Sequence, residues 1–131
     1  MAEPTTFDDR DGWIWFDGKL VPWREAGVHV LTHGLHYASS VFEGQRAYNG
    51  IIFKLTEHSE RLRKSAALLG FELPWTTAEI DAACKEVLAA SGLADAYMRP
   101  VAWLGSEKMG VSPTGTRPHL AIAALDSVGA V

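Results

Sequence analysis

The sequence predicts an α+β domain, with helices packed on a mainly antiparallel sheet. Three observations lead there. Two hairpin signals stand in the first half, Asp17-Gly18 within "WIWFDGKLV" and Asn49-Gly50 within "VFEGQRAYNGIIFKL". Two stretches of helical periodicity follow, one up to Gly70 and one from Thr76 to Gly92. Two further strand patterns, "AYMRPVAWL" and "HLAIAAL", complete the layer on which the helices pack.

The totals narrow the class. At 131 residues the chain suits one compact domain, or one domain cut from something larger. Hydrophobic residues make up 47% and charged residues 21%, which is globular composition and not that of a disordered segment. A net charge of −4 argues against nucleic-acid binding, which needs a basic face. Cys84 is the single cysteine, so no intramolecular disulfide forms and a reducing compartment fits. No apolar run approaches the ~20 residues of a membrane span. The start, "MAEPTTFDDRDG", is polar and acidic, unlike a targeting peptide. We therefore expect a loose tail over residues 1–11, a folded domain over 12–131, and a cytoplasmic setting.

Each element has a local reason. In the second hairpin, alternation puts Phe42, Gly44, Arg46 and Tyr48 on one face. A glycine inside a strand, as at Gly44, implies close approach to the backbone. Thr56 is the expected cap of the first helix, Leu62, Ala66 and Leu69 its apolar stripe, and Gly70 its stop. The second helix opens on Thr76 and Glu79 at capping-box spacing. Ile80, Ala83, Cys84, Val87 and Leu88 form its buried stripe, which makes Cys84 a packing residue and not a nucleophile. In "AYMRPVAWL" the side chains of Tyr97, Arg99, Val101 and Trp103 share a face. The loop "GSEKMGVSPTGTRP" has the length at which loops tend to be functional.

Candidate sites are few. His29, His33 and His36 lack a flanking cysteine or paired carboxylate, so they read as hydrogen-bonded structural residues, and no metal is assigned. Glu57 precedes Arg61 by one helical turn, the spacing of an exposed ion pair, and Glu60 and Lys64 repeat it. Tyr97 and Arg99, beside Trp103, form either a pocket floor or a buried pair with a satisfied hydroxyl; the pattern leaves both open. No nucleotide loop, nucleophile elbow or catalytic carboxylate pair is present.

The motifs "WIWFDGKLVPW", "HVLTHGLHYASSVFEGQRAY", "FKLTEHSERLRKSA", "AYMRP" and "GSEKMGVSP" occur in an order that resembles the branched-chain amino acid aminotransferases. These are pyridoxal-phosphate enzymes of the D-alanine aminotransferase-like fold, and the likeness runs over about residues 13 to 125. It implies the small amino-terminal domain of that fold. It also implies roles: Arg61 grips the cofactor phosphate, to which a guanidinium fork is suited. Tyr37, Phe42 and Gly44 line the substrate pocket, and Tyr97 and Arg99 handle substrate carboxylates. Val111 lies on a loop that reaches a neighbouring subunit's pocket, so a homo-oligomer is implied. The implied reaction moves an amino group between Leu, Ile or Val and 2-oxoglutarate. Its partners are small amino acids and 2-oxo acids, with no nucleic acid or membrane. The Schiff-base lysine belongs to the larger domain of the family and matches no residue here, so the chain resembles an amino-terminal piece without a catalytic residue of its own. A binding module that lost catalysis, an aminodeoxychorismate lyase and a D-amino acid transaminase remain the alternatives.

Overall fold

The computed structural model describes residues 6–126; the expected tail falls partly outside these, at residues 1–5, as does the carboxyl end, residues 127–131. Strands β1 (Trp13–Phe16) and β2 (Lys19–Pro22) form the first hairpin. A turn of 3₁₀ helix at Trp23–Glu25 and a short helix α1 (His33–Tyr37) lead to β3 (Ser40–Phe42), β4 (Gln45–Tyr48) and β5 (Ile51–Ile52). Helices α2 (Leu55–Leu68) and α3 (Thr77–Ser91) precede the long strands β6 (Ala96–Leu104) and β7 (Pro118–Asp126). The sheet order is β2-β1-β7-β6-β4-β5, with β3 also on β6, and every pairing is antiparallel.

The hairpin turns follow from their residues. Asp17 and Gly18, and Asn49 and Gly50, all have positive φ, between 50° and 111°. That is the geometry whose twist matches antiparallel strands, and Asp-Gly and Asn-Gly adopt it most readily.

Strands β3 and β4 share one register against β6. Phe42 faces Val101 and Gln45 faces Met98, so Glu43 falls opposite Pro100 without any slip. The Glu43 amide donates to the Pro100 carbonyl at 2.9 Å. Proline has no N–H to return the bond, and the ladder lapses at Glu43 and Gly44.

Alternation then sorts the side chains. Glu43, Gln45 and Ala47 of the first strand path, and Ala96, Met98 and Ala102 of β6, are buried beneath α2 and α3. With Leu62, Ala66, Ile80, Val87, Leu120 and Ile122 the apolar members of this set make the core. The opposite face carries Phe16, Phe42, Tyr97, Arg99 and Val101, and no helix longer than α1 covers it among the described residues.

Helix α3 is as expected: Thr76 Oγ1 accepts from the Glu79 amide at 3.1 Å and Glu79 accepts from the Thr76 amide at 2.9 Å. Cys84 is fully buried, and burial first of all pushes its thiol up to about 12, consistent with packing.

Four local expectations need correction. Thr56 does not cap α2: Lys54 stands at the cap in left-handed conformation, and the Thr56 hydroxyl donates to Asp81 on α3. Leu69 is exposed, because the helix ends one residue earlier and Gly70 turns the chain. Helix α1 is not among the expected elements; five residues give too few turns for a periodic signal. Finally, Arg61 does not pair with Glu57, which takes Lys54 instead.

Candidate functional site

The tight unit on the open face is built from two neighbouring strands. Arg99 donates to the Tyr97 hydroxyl from Nη2 at 2.7 Å and from Nε at 3.2 Å. Its guanidinium lies 4.3 Å from the centre of the Phe42 ring and 5.3 Å from that of Tyr97. Cation–π attraction and the hydroxyl together fix a long, charged side chain on an otherwise apolar floor. Gly44 belongs to the same unit. A Cβ at Gly44 would stand 2.6 Å from the Tyr97 hydroxyl oxygen, so the missing side chain is what admits the tyrosine. Beside this unit lies an apolar depression of about 410 Å³ lined by Ile14, Phe16, Leu35, Arg99, Val101 and Trp103 among others.

Arg61 lies on the other side of the sheet. Its partner is Glu43, only 4% exposed, which points under α2 while Gly44 next to it serves the open face. Arg61 Nε donates to Glu43 Oε2 and Nη2 to Oε1, both at 2.8 Å. His58, one turn earlier on α2, shares Oε1 at 2.7 Å through Nδ1. Burial pushes the Glu43 carboxyl up, but the hydrogen bonds from Arg61 and His58 outweigh it and hold it below the usual range. The Arg61 side chain is 65% exposed. Two of its five N–H donors are taken, and the Nη1 edge faces solvent.

Tyr37 and Val111 form a third group. The Tyr37 hydroxyl donates to the Met109 carbonyl at 3.2 Å, and His33 Nε2 donates to the Val111 carbonyl at 3.0 Å. His33 Nδ1 meets the Ser39 hydroxyl at 2.6 Å, so helix α1 holds the loop from Gly105 to Arg117 by two side chains. The root of that loop is fixed by His119, which bonds Asp17 through Nδ1 and Glu107 through Nε2 while stacking on Trp103. The three histidines read as structural are each engaged: His29 Nδ1 accepts from the Leu31 amide and His36 Nε2 donates to the Val30 carbonyl. The seven expected residues thus fall into three groups and not one pocket, and of the seven only Arg99 lines the apolar depression.

The profile of the amino-transferase class IV family matches residues 40–127, the span from β3 through β7. The chain belongs to the class IV aminotransferases. The branched-chain-amino-acid aminotransferase of Pseudomonas aeruginosa is 46% identical over 120 residues, covering 88% of this chain and 39% of that protein. The crystal structure of the Escherichia coli branched-chain amino acid aminotransferase aligns with a TM-score of 0.84 at 38% identity, over 89% of this chain and 41% of that one. The branched-chain aminotransferase of the thermophilic archaeon Thermoproteus uzoniensis, solved with norvaline, aligns with a TM-score of 0.83 at 38% identity, over 88% and 41%. The fold is therefore that of the amino-terminal domain of these aminotransferases. The chain spans about 40% of the length of the relatives it matches.

Two residues of this aminotransferase domain escaped the sequence reading, Glu43 and His58. The signal for Glu43 was present. Alternation that puts Phe42 and Gly44 on one face puts Glu43 on the other, with Gln45 and Ala47, and a carboxylate on a buried face demands a cationic partner. Helix α2, crossing that face, supplies it through Arg61 and His58.

Proposed function

We propose that the protein is a branched-chain-amino-acid transaminase that works with pyridoxal 5'-phosphate, exchanging an amino group between Leu, Ile or Val and 2-oxoglutarate. The observation that carries this reading is the Arg61–Glu43 fork, within a chain so similar to enzymes of that name. A phosphate needs convergent N–H donors at a fixed place, and Arg61 offers its outer edge while its inner edge is anchored. The residues therefore fit the phosphate of the cofactor. When bound, the cofactor supplies an electron sink for the carbon that loses its proton.

The remaining groups take the other tasks. Arg99, stiffened by Tyr97, offers a cation to a carboxylate, and Phe42 and Tyr37 offer apolar wall to a branched side chain. A site that accepts glutamate and leucine in turn needs both. Val111, 72% exposed at the tip of a loop pinned by His33 and Tyr37, is placed in this proposal against a second copy of the chain, in a homo-oligomer. A cytoplasmic setting belongs to the same proposal and agrees with a free, buried Cys84. Among the described residues no helix is long and apolar enough to cross a membrane.

The test is formation of glutamate from leucine and 2-oxoglutarate by the purified whole gene product with pyridoxal 5'-phosphate. Turnover with the branched-chain amino acids above that with D-alanine supports the reading. Turnover with D-alanine alone, or none with any amino donor, overturns it.

A further inference from the structure

We infer that Glu43 is a positioning residue for anion binding: with His58 beside it, it holds the Arg61 guanidinium edge-on, so that the free edge meets a phosphate already aimed. This rests on the reading of Arg61 given above and extends it to a residue that would itself repel the ligand.

The geometry is specific. Glu43 lies between β3 and β4, its amide donating to the Pro100 carbonyl at 2.9 Å and its side chain buried under α2. Arg61 and His58 both stand on α2, three residues apart, and both reach the one carboxylate. A carboxylate in the two-point grip of a guanidinium sets the plane of the fork, which a single contact does not. An arginine this exposed would otherwise spread over many rotamers. Binding an anion would then have to order it, and affinity would fall by the fraction of time spent elsewhere.

The alternative is that Glu43 acts through its charge. A buried carboxylate next to a phosphate site weakens the local positive field. If field outweighed orientation, removing the charge would tighten phosphate binding. The two effects have opposite signs, so one substitution separates them.

The experiment compares affinities of the whole gene product for pyridoxal 5'-phosphate and for pyridoxal, which lacks the phosphate. The ratio is the phosphate advantage. Arg61→Ala is expected to remove most of it, and Glu43→Gln, the same shape without the charge, to lower it by about tenfold, the order lost with one charge-assisted hydrogen bond. Affinity for pyridoxal itself should not move in either variant. An advantage that is unchanged or raised in Glu43→Gln, while Arg61→Ala lowers it, overturns the positioning role and leaves the Arg61 reading standing. An advantage unchanged in Arg61→Ala overturns both. Equal losses for pyridoxal and its phosphate ester mark Glu43 as a support of the fold and overturn the proposal. Should the amide variant fail to fold, Glu43→Asp keeps the charge but withdraws it by one methylene. An intermediate advantage is then expected, and a wild-type advantage overturns the inference.

Discussion

Tyr97 presents its hydroxyl to the guanidinium of Arg99 two residues further along β6, accepting from Nη2 at 2.7 Å and Nε at 3.2 Å. Residues two apart on a strand point the same way, and here the spacing is closed by a hydrogen bond between side chains. With Nε and one Nη2 hydrogen so occupied, the Nη1 edge remains for a ligand. On the proposed function, Arg99→Ala is expected to slow the glutamate half-reaction more than the leucine half-reaction. Tyr97→Phe should do the same more weakly, because it frees the arginine without removing it. Single-turnover rates for each amino donor decide; equal losses would mean that Arg99 serves both substrates alike.

Gly44→Ala tests how that pair is seated. The added methyl group would meet the tyrosine hydroxyl at 2.6 Å, the far end of a side chain that can swing. The backbone at Gly44 needs no glycine, and alanine loses less chain entropy on folding. Stability should change by less than about 1 kcal/mol, while the displaced Tyr97 carries Arg99 with it. The expected signature is a melting temperature near wild type alongside a weakened glutamate half-reaction. A variant that unfolds would show that the tyrosine has no room to move.

The His119 clamp gives stability a pH dependence. Burial pushes the imidazole down, but hydrogen bonds with Asp17 and then Glu107 outweigh it and raise the group above its ordinary 6.5. A raised value contributes stability that is complete below 6.5 and is lost as pH climbs through the folded value. Burial likewise pushes Glu107 up, and the Arg117 amide and His119 outweigh it, so its contribution is present above 4.5 and fades as pH falls through the lowered value. Both are in force between about 4.5 and 6.5. The wild-type advantage over His119→Gln in melting temperature should be greatest in that window and shrink on the alkaline side. A gap that does not vary with pH would show that the imidazole is held by packing on Trp103 alone.

A polypeptide of these 131 residues and no others is not expected to transaminate, whatever cofactor is supplied. Its lysines, Lys19, Lys54, Lys64, Lys85 and Lys108, are all exposed, and Lys54 is engaged by Glu57. A lysine that works as nucleophile and proton carrier needs burial or a neighbouring cation to loosen its proton. Weak labelling by pyridoxal 5'-phosphate would be no test. Glutamate formed from leucine and 2-oxoglutarate, and abolished by replacing one of the five, would overturn the expectation.

Much of this was legible in the residues, for physical reasons that differ by element. The hairpins could be read because Asp-Gly and Asn-Gly suit a conformation that few dipeptides adopt. The face of Tyr97, Arg99, Val101 and Trp103 could be read because strand alternation is strict. Cys84 could be placed because α3 repeats its apolar stripe from Ile80 to Leu88. Arg61 shows the opposite case. Spacing along the helix offered Glu57, but the real partner lies 18 residues earlier in the chain, and local periodicity carries no information about which strand a helix will cross. Thr56 failed likewise, its hydroxyl drawn off by Asp81 of the neighbouring helix. Long-range polar pairs are decided by packing, and packing follows the whole core.

Pro100 has a mechanical consequence. A sheet resists bending through its regular rungs, and at this residue one rung is missing on the side of Glu43. The lapse falls between β3, which follows helix α1, and β4, which leads into β5. Glu43 and Gly44 sit astride it, facing opposite ways. The anchor of Arg61 on one face and the seat of Tyr97 on the other are thus consecutive residues of one short connection. A change in the backbone there is felt on two surfaces that the sheet otherwise separates from each other.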